Sequence, residues 1–135
     1  MALENISVVT DSGGSQLTGN ATAVLHEVAE MLVALAERGE AGIIDLGGLP
    51  LSKADMDWLT ARLGRGEVEM ALNLDGASEV RETAFHGVWW IVHHNEKGVL
   101  TGEFIEVSRV PGLILAHPDD IRESAESLGY LINDL

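Results

Sequence analysis

The sequence predicts an α+β fold, a mostly antiparallel meander sheet of about four to five strands with about three helices packed mainly on one face. Three observations predict it. Segments 21–36, 56–63 and 121–132 place apolar residues three and four apart, the period of a helix with one buried stripe. Residues 67–107 instead alternate, or run apolar at strand length, and are broken by the turn signals Asp75-Gly76 and Asn95-Glu96-Lys97-Gly98. The order is helix, strand, helix, consecutive strands and a last helix, with no linker of contrasting composition and no internal repeat.

Residues 1–19 contain a β-prone piece at 6–10 and the small polar loop DSGGSQLTG, and read as a flexible lead-in to a single domain at 20–135. The first helix is expected from Asn20 or Thr22, either of which can cap it. Its stripe is Ala21, Val24, Leu25, Val28, Leu32, Leu35 and Ala36, and Gly39 supplies the left-handed stop. A short strand is expected at 41–46. After Pro50, Ser52 and Asp55 stand at capping-box spacing ahead of Met56, Leu59 and Leu63, with Trp58 flanking and Gly64 ending the helix. Val68, Met70, Leu72 and Leu74 alternate with polar residues, a half-buried strand. Gly87 interrupts the next run and marks a bulge or tight bend. The core of that run, GVWWIV, is apolar on both strand faces, so it is the central strand. Residues 99–107 pair back onto it, and 113–116 read as a short edge segment. Pro118 and Asp119 open the third helix, whose stripe Ile121, Ala125, Leu128 and Ile132 is expected to be buried.

At 135 residues with 46% hydrophobic content the chain can bury one core without disulfides or metal. It has no cysteine, which excludes disulfides, thiolate metal sites and cysteine nucleophiles. The N-terminal stretch has neither a basic region nor a long apolar run, and no window reaches the roughly 20 apolar residues of a membrane span, so the expected location is the cytoplasm. The net charge is −14, from 22 acids against 8 bases, which disfavours nucleic acid and suits a basic partner.

Candidate chemistry is sparse. His93 and His94 are adjacent on a strand and point to opposite faces, so they cannot chelate one metal together. No His-x-x-x-His pair lies on a helix, and no metal or other cofactor is expected. Gly64-Arg65-Gly66 follows a helix and precedes a strand, the reverse of the dinucleotide-binding order. Glu82 and Glu106 sit on strands, each either an inward acid or an edge charge that blocks aberrant pairing. Arg81 reads as one half of a cross-strand ion pair. Trp89 and Trp90 face opposite sides of the sheet. Any tryptophan on an open face would be an interaction anchor, which makes Glu82, Trp89, Trp90, Phe104 and Glu106 the candidate partner-binding residues. A second reading is a small acid–base enzyme using Glu82 or Glu106 with a nearby histidine.

Three stretches, LGGLPLSKADMDWLTARLGRGEVEMAL, RETAFHGVWWIVHHNEKG and EFIEVSRVPGLILAHPDDI, resemble the HupH/HyaF-type hydrogenase expression proteins. The resemblance is carried by Leu49-Pro50 with Ser52 and Asp55, by Leu63-Gly64-x-Gly66-x-Val68, by Glu82-Thr83 with Gly87-x-Trp89, and by Ile105-Glu106-Val107 followed by Pro111. It implies a non-enzymatic maturation factor or chaperone for a [NiFe]-hydrogenase, with the iron–sulfur small subunit precursor as its client and other maturation proteins as further partners. It brings no catalytic residues with it. Longer members resemble two such units in tandem, whereas this chain has one. That difference implies a homodimer imitating the pair, through a sheet edge or a sheet face.

Overall fold

The computed structural model describes residues 16–135. The β-prone piece at 6–10 and most of the expected lead-in lie outside the described residues. The elements follow as α1 (Asn20–Arg38), β1 (Gly42–Asp45), α2 (Lys53–Leu63), β2 (Glu69–Asn73), β3 (Ala77–Glu82), β4 (Val88–His94), β5 (Leu100–Val107) and α3 (Pro118–Asn133). Short 3-10 turns occupy Leu46–Gly48 and Gly112–Ile114. The sheet is open and wholly antiparallel in the order β1-β5-β4-β3-β2. Strands β2 to β5 form the expected meander, and β1 is added at the far edge of β5.

Helices α1 and α2 cover one face. Val24 and Val28 of α1 and Leu59 and Leu63 of α2 meet Val88, Trp90, Ile105 and Val107 of the sheet in the main core. The sheet register places Trp90 beside Arg81 and Ile105, and Trp89 beside Glu82 and Glu106, so the two indoles take opposite faces as the strand period requires.

Several local expectations are corrected. Neither Asn20 nor Thr22 caps α1. Gly19 stands at the cap in the left-handed region, and the Asn20 side chain instead donates to the carbonyl of Pro50 at 2.8 Å. Ala36 is exposed at the end of the α1 stripe. Residues 113–116 are no strand. Pro111 and Gly112 accept from Ile114 and Leu115 and close a 3-10 turn. Arg81 makes no ion pair among the described residues. Its cross-strand neighbour Glu69 is taken by Arg65 at 3.0 Å, and the guanidinium lies over the Trp90 ring at 5.2 Å. Its Nη1 is buried without a hydrogen-bond partner. Burial pushes the Arg81 guanidinium down, with Arg65 acting in the same direction against nearby glutamates.

The largest correction concerns α3. It forms where expected, but none of the described residues covers it: Ile121, Leu128 and Ile132 are each 57% exposed, and no residue of the helix is buried.

Candidate functional site

The sheet face opposite the helices gathers four of the five candidate partner-binding residues. Register puts Glu82, Trp89 and Glu106 in one row across β3, β4 and β5, and Phe104 in the next row beside Ile91. Trp90 is on the other face, 2% exposed beneath the helices, where its Nε1 donates to Glu103 at 2.7 Å. Trp89 is 8% exposed. Its Nε1 donates to the carbonyl of Ser108 at 3.0 Å, and it packs with Val80 and Ile91 in a second apolar cluster flanked by Met70, Leu72 and Phe104. The face is therefore an apolar centre with half-buried side chains around it. Its acids are Glu82 and Glu106 within the row and Asp45 opposite Phe104 on β1.

Each of the two row acids has local work. Glu106 accepts from the Ser108 hydroxyl and from the Gly112 backbone N–H, both at 2.9 Å, and so holds the turn that follows β5. Glu82 accepts from the Glu67 backbone N–H at 3.0 Å and lies 3.2 Å from His86 Nδ1. The contact from His86, then that from Glu67, holds the Glu82 carboxyl below the usual range. A general acid at neutral pH needs the opposite shift. His86 is exposed on the turn before β4. The apolar cavities that flank the helices lie elsewhere, along α1 against Leu63 and Phe85, and between Leu46 and the start of β5.

The two adjacent histidines of β4 have different surroundings. His93 lies on the Trp89 face, 2.6 Å from the Ser78 hydroxyl and edge-on to Phe104. His94 follows a register irregularity and pairs with Leu100. The Ser78–His93 contact escaped sequence reasoning, although the Asp75-Gly76 turn and the Val80–Ile91 pairing together place these two residues opposite each other. Among the described residues no three His, Asp or Glu side chains converge as metal ligands. No helix there is long and apolar enough to cross a membrane.

A buried clamp was also missed. Asp55 of α2 accepts from the Thr18 backbone N–H at 3.0 Å, the Thr18 hydroxyl at 2.6 Å and the Ser52 backbone N–H at 2.9 Å. The Ser52 hydroxyl accepts from the Asp55 backbone N–H and donates to the Gln16 carbonyl. The capping box is thus present, and its acid also ties residues 16–18 to α2. Burial pushes the Asp55 carboxyl up, but the bonds from Thr18 and Ser52 outweigh it and leave the carboxyl below its ordinary range.

Comparison with known proteins fits this architecture. A solved hydrogenase expression protein HupH from Thiobacillus denitrificans superposes with a TM-score of 0.84 at 48% identity, covering 89% of this chain and 100% of that one. Hydrogenase expression/formation protein HoxQ of Azotobacter vinelandii is 34% identical over 101 residues, 73% of this chain and 35% of its own length. Hydrogenase expression/formation protein HupH of Rhizobium leguminosarum is 27% identical over 109 residues, 81% of this chain and 39% of its own. The chain therefore spans less than two-fifths of the length of these longer relatives. Residues 18–135 match the family model described as HupH hydrogenase expression protein, C-terminal conserved region, and the chain belongs to that family.

Proposed function

We propose that this chain serves hydrogenase maturation as a non-enzymatic binding protein in the cytoplasm. In this reading it is a chaperone that holds the iron–sulfur small subunit precursor of a [NiFe]-hydrogenase before export. The observation that carries the reading is the family match over residues 18–135, whose longer relatives are named for hydrogenase expression and formation. The shape and charge of the chain support it. An open sheet with the apolar cluster of Val80, Trp89 and Ile91 on one face, and with β1 and β2 as its edge strands among the described residues, can receive an extended segment by strand addition or lie against an apolar surface. A charge of −14 favours encounter with a basic precursor.

The client contact is assigned to the Glu82, Trp89, Phe104 and Glu106 face, with Trp90 supporting it from beneath. Other maturation proteins are further partners in this proposal. Self-association into a homodimer belongs to it as well, since the chain spans less than two-fifths of its longer relatives.

The test is a pull-down of the small subunit precursor, with and without its export signal, by this chain and by Phe104→Ser. The precursor should be enriched by the native chain. The variant should lose about ten-fold or more of that affinity, as a half-buried aromatic anchor would. Failure to enrich either form of the precursor removes the chaperone reading.

A further inference from the structure

Helix α3 is well made and bare. Pro118 opens it, His117 Nδ1 accepts from the Asp119 backbone N–H at 3.1 Å, and two aspartates sit in its first turn. Its stripe Ile121, Ala125, Leu128 and Ile132 faces solvent, as does every residue from 115 onward. A helix of 16 residues with Gly129 in its C-terminal third is marginal in water, so its order calls for a surface.

The same chain has a groove of matching form. A cavity of about 360 Å³ is walled by Val28, Ala29, Leu32, Leu63 and Phe85, with Arg62 at its rim. A second, of about 260 Å³, continues it along α1 through Ala29 to His26 and Thr22. At 1.5 Å rise per residue, Thr22 to Leu32 measures about 15 Å, and Ile121 to Ile132 about 16 Å. The wall is apolar, and the cationic rim residue suits a helix whose polar side carries Glu123 and Glu126.

We infer that α3 of one copy lies in the α1 groove of a second copy, and that the exchange is reciprocal. This rests on the self-association proposed above and not on the identity of the client. The exit of the chain favours a neighbour over its own groove. Pro111 is buried and Glu106 holds the Gly112 N–H, so the turn before α3 has a set direction, and α3 stands off its own body. A two-fold exchange uses each groove and each helix once and closes, with no surface left to propagate. The reciprocal exchange makes the same contact twice, which doubles the buried area toward the roughly 1,200–2,000 Å² of stable interfaces. Each copy carries −14, so repulsion opposes the pair, and added salt should tighten it.

Light scattering across the micromolar range should give twice the 14.4 kDa of one chain. Leu128→Asp, on an exposed site that the fold does not need, should return the monomer. A monomeric native chain overturns both the exchange and the self-association. A dimer that survives Leu128→Asp overturns the exchange alone. The absence of native cysteine permits a sharper test. Ala29→Cys and Ala125→Cys chains, mixed and oxidised, should form a crosslinked heterodimer. A doubly substituted chain that closes only within itself would place α3 in its own groove and overturn the inference.

Discussion

Helices α2 and α3 carry nearly the same local instructions and meet opposite fates. Each starts at a side-chain cap, with an acid in its first turn. Each spaces its apolar residues by three and four: Met56, Leu59 and Leu63 in one, Ile121, Ala125, Leu128 and Ile132 in the other. Yet Leu59 is fully buried under the sheet and Leu128 faces solvent. The difference lies in what ties each helix to the rest. Asp55 clamps the start of α2 to residues 16–18, and its end is bonded to β3, where Ala84 donates to the Leu63 carbonyl and Gly66 to the Glu82 carbonyl. Among the described residues no such tie holds α3. Periodicity states that a helix has an apolar face; it does not state which surface covers it.

Substitutions in the two helices should separate these cases. The largest effect is expected at Leu59→Ala, which leaves a cavity between α2 and the sheet and should cost about 3–4 kcal/mol in chemical denaturation. Next comes Asp55→Ala, which strands donors from Thr18 and Ser52 and should cost about 2–3 kcal/mol. The Asp55 carboxyl titrates lower folded than unfolded. Its contribution is therefore whole above the unfolded carboxylate range and is lost as pH falls through the folded value. Asp55→Asn should flatten that part of the acid limb, and an unchanged limb would show that the clamp does not depend on charge.

Gly66→Ala should cost about 2 kcal/mol, because a Cβ there would stand 2.5 Å from the Thr83 carbonyl and from Glu82 Oε1. Denaturation midpoints equal to the native chain would mean that the α2–β2 junction relaxes freely. This glycine marks a limit of sequence reading. Apart from its place in the family resemblance, the string Gly64-Arg65-Gly66 reads only as a misordered nucleotide motif; the need for Gly66 is the close passage of Glu82 and Thr83, which spacing does not reveal. The strands were more legible, because turn chemistry and alternation are local: Asp75-Gly76 and the loop at Asn95 mark both hairpins. Strand parity likewise separates Trp89 from Trp90. The row joining Glu82, Trp89 and Glu106 needed the register of three strands, and the Thr18–Asp55 clamp joins residues 37 apart. The exposure of α3 is illegible for a related reason, since an apolar stripe reads the same whether its cover comes from the chain or from a neighbour.

The smallest expected effect is at Leu128→Ala. In dilute solution, where each copy is alone, the side chain touches no core. Its loss should change stability by no more than about 0.5 kcal/mol, in contrast to the same truncation at Leu59. Alanine is also a better helix former than leucine by a slight margin, so the sign in the isolated helix can be favourable. The contrast should then narrow with concentration. Binding between folded copies raises the midpoint of thermal unfolding by mass action, so the native chain should gain stability as it is concentrated and Leu128→Ala should gain less. A native midpoint that does not move with concentration would leave α3 uncovered in every state. A Leu128→Ala chain that loses as much as Leu59→Ala when dilute would show that α3 is packed on its own domain in solution, and the difference between the two helices would disappear.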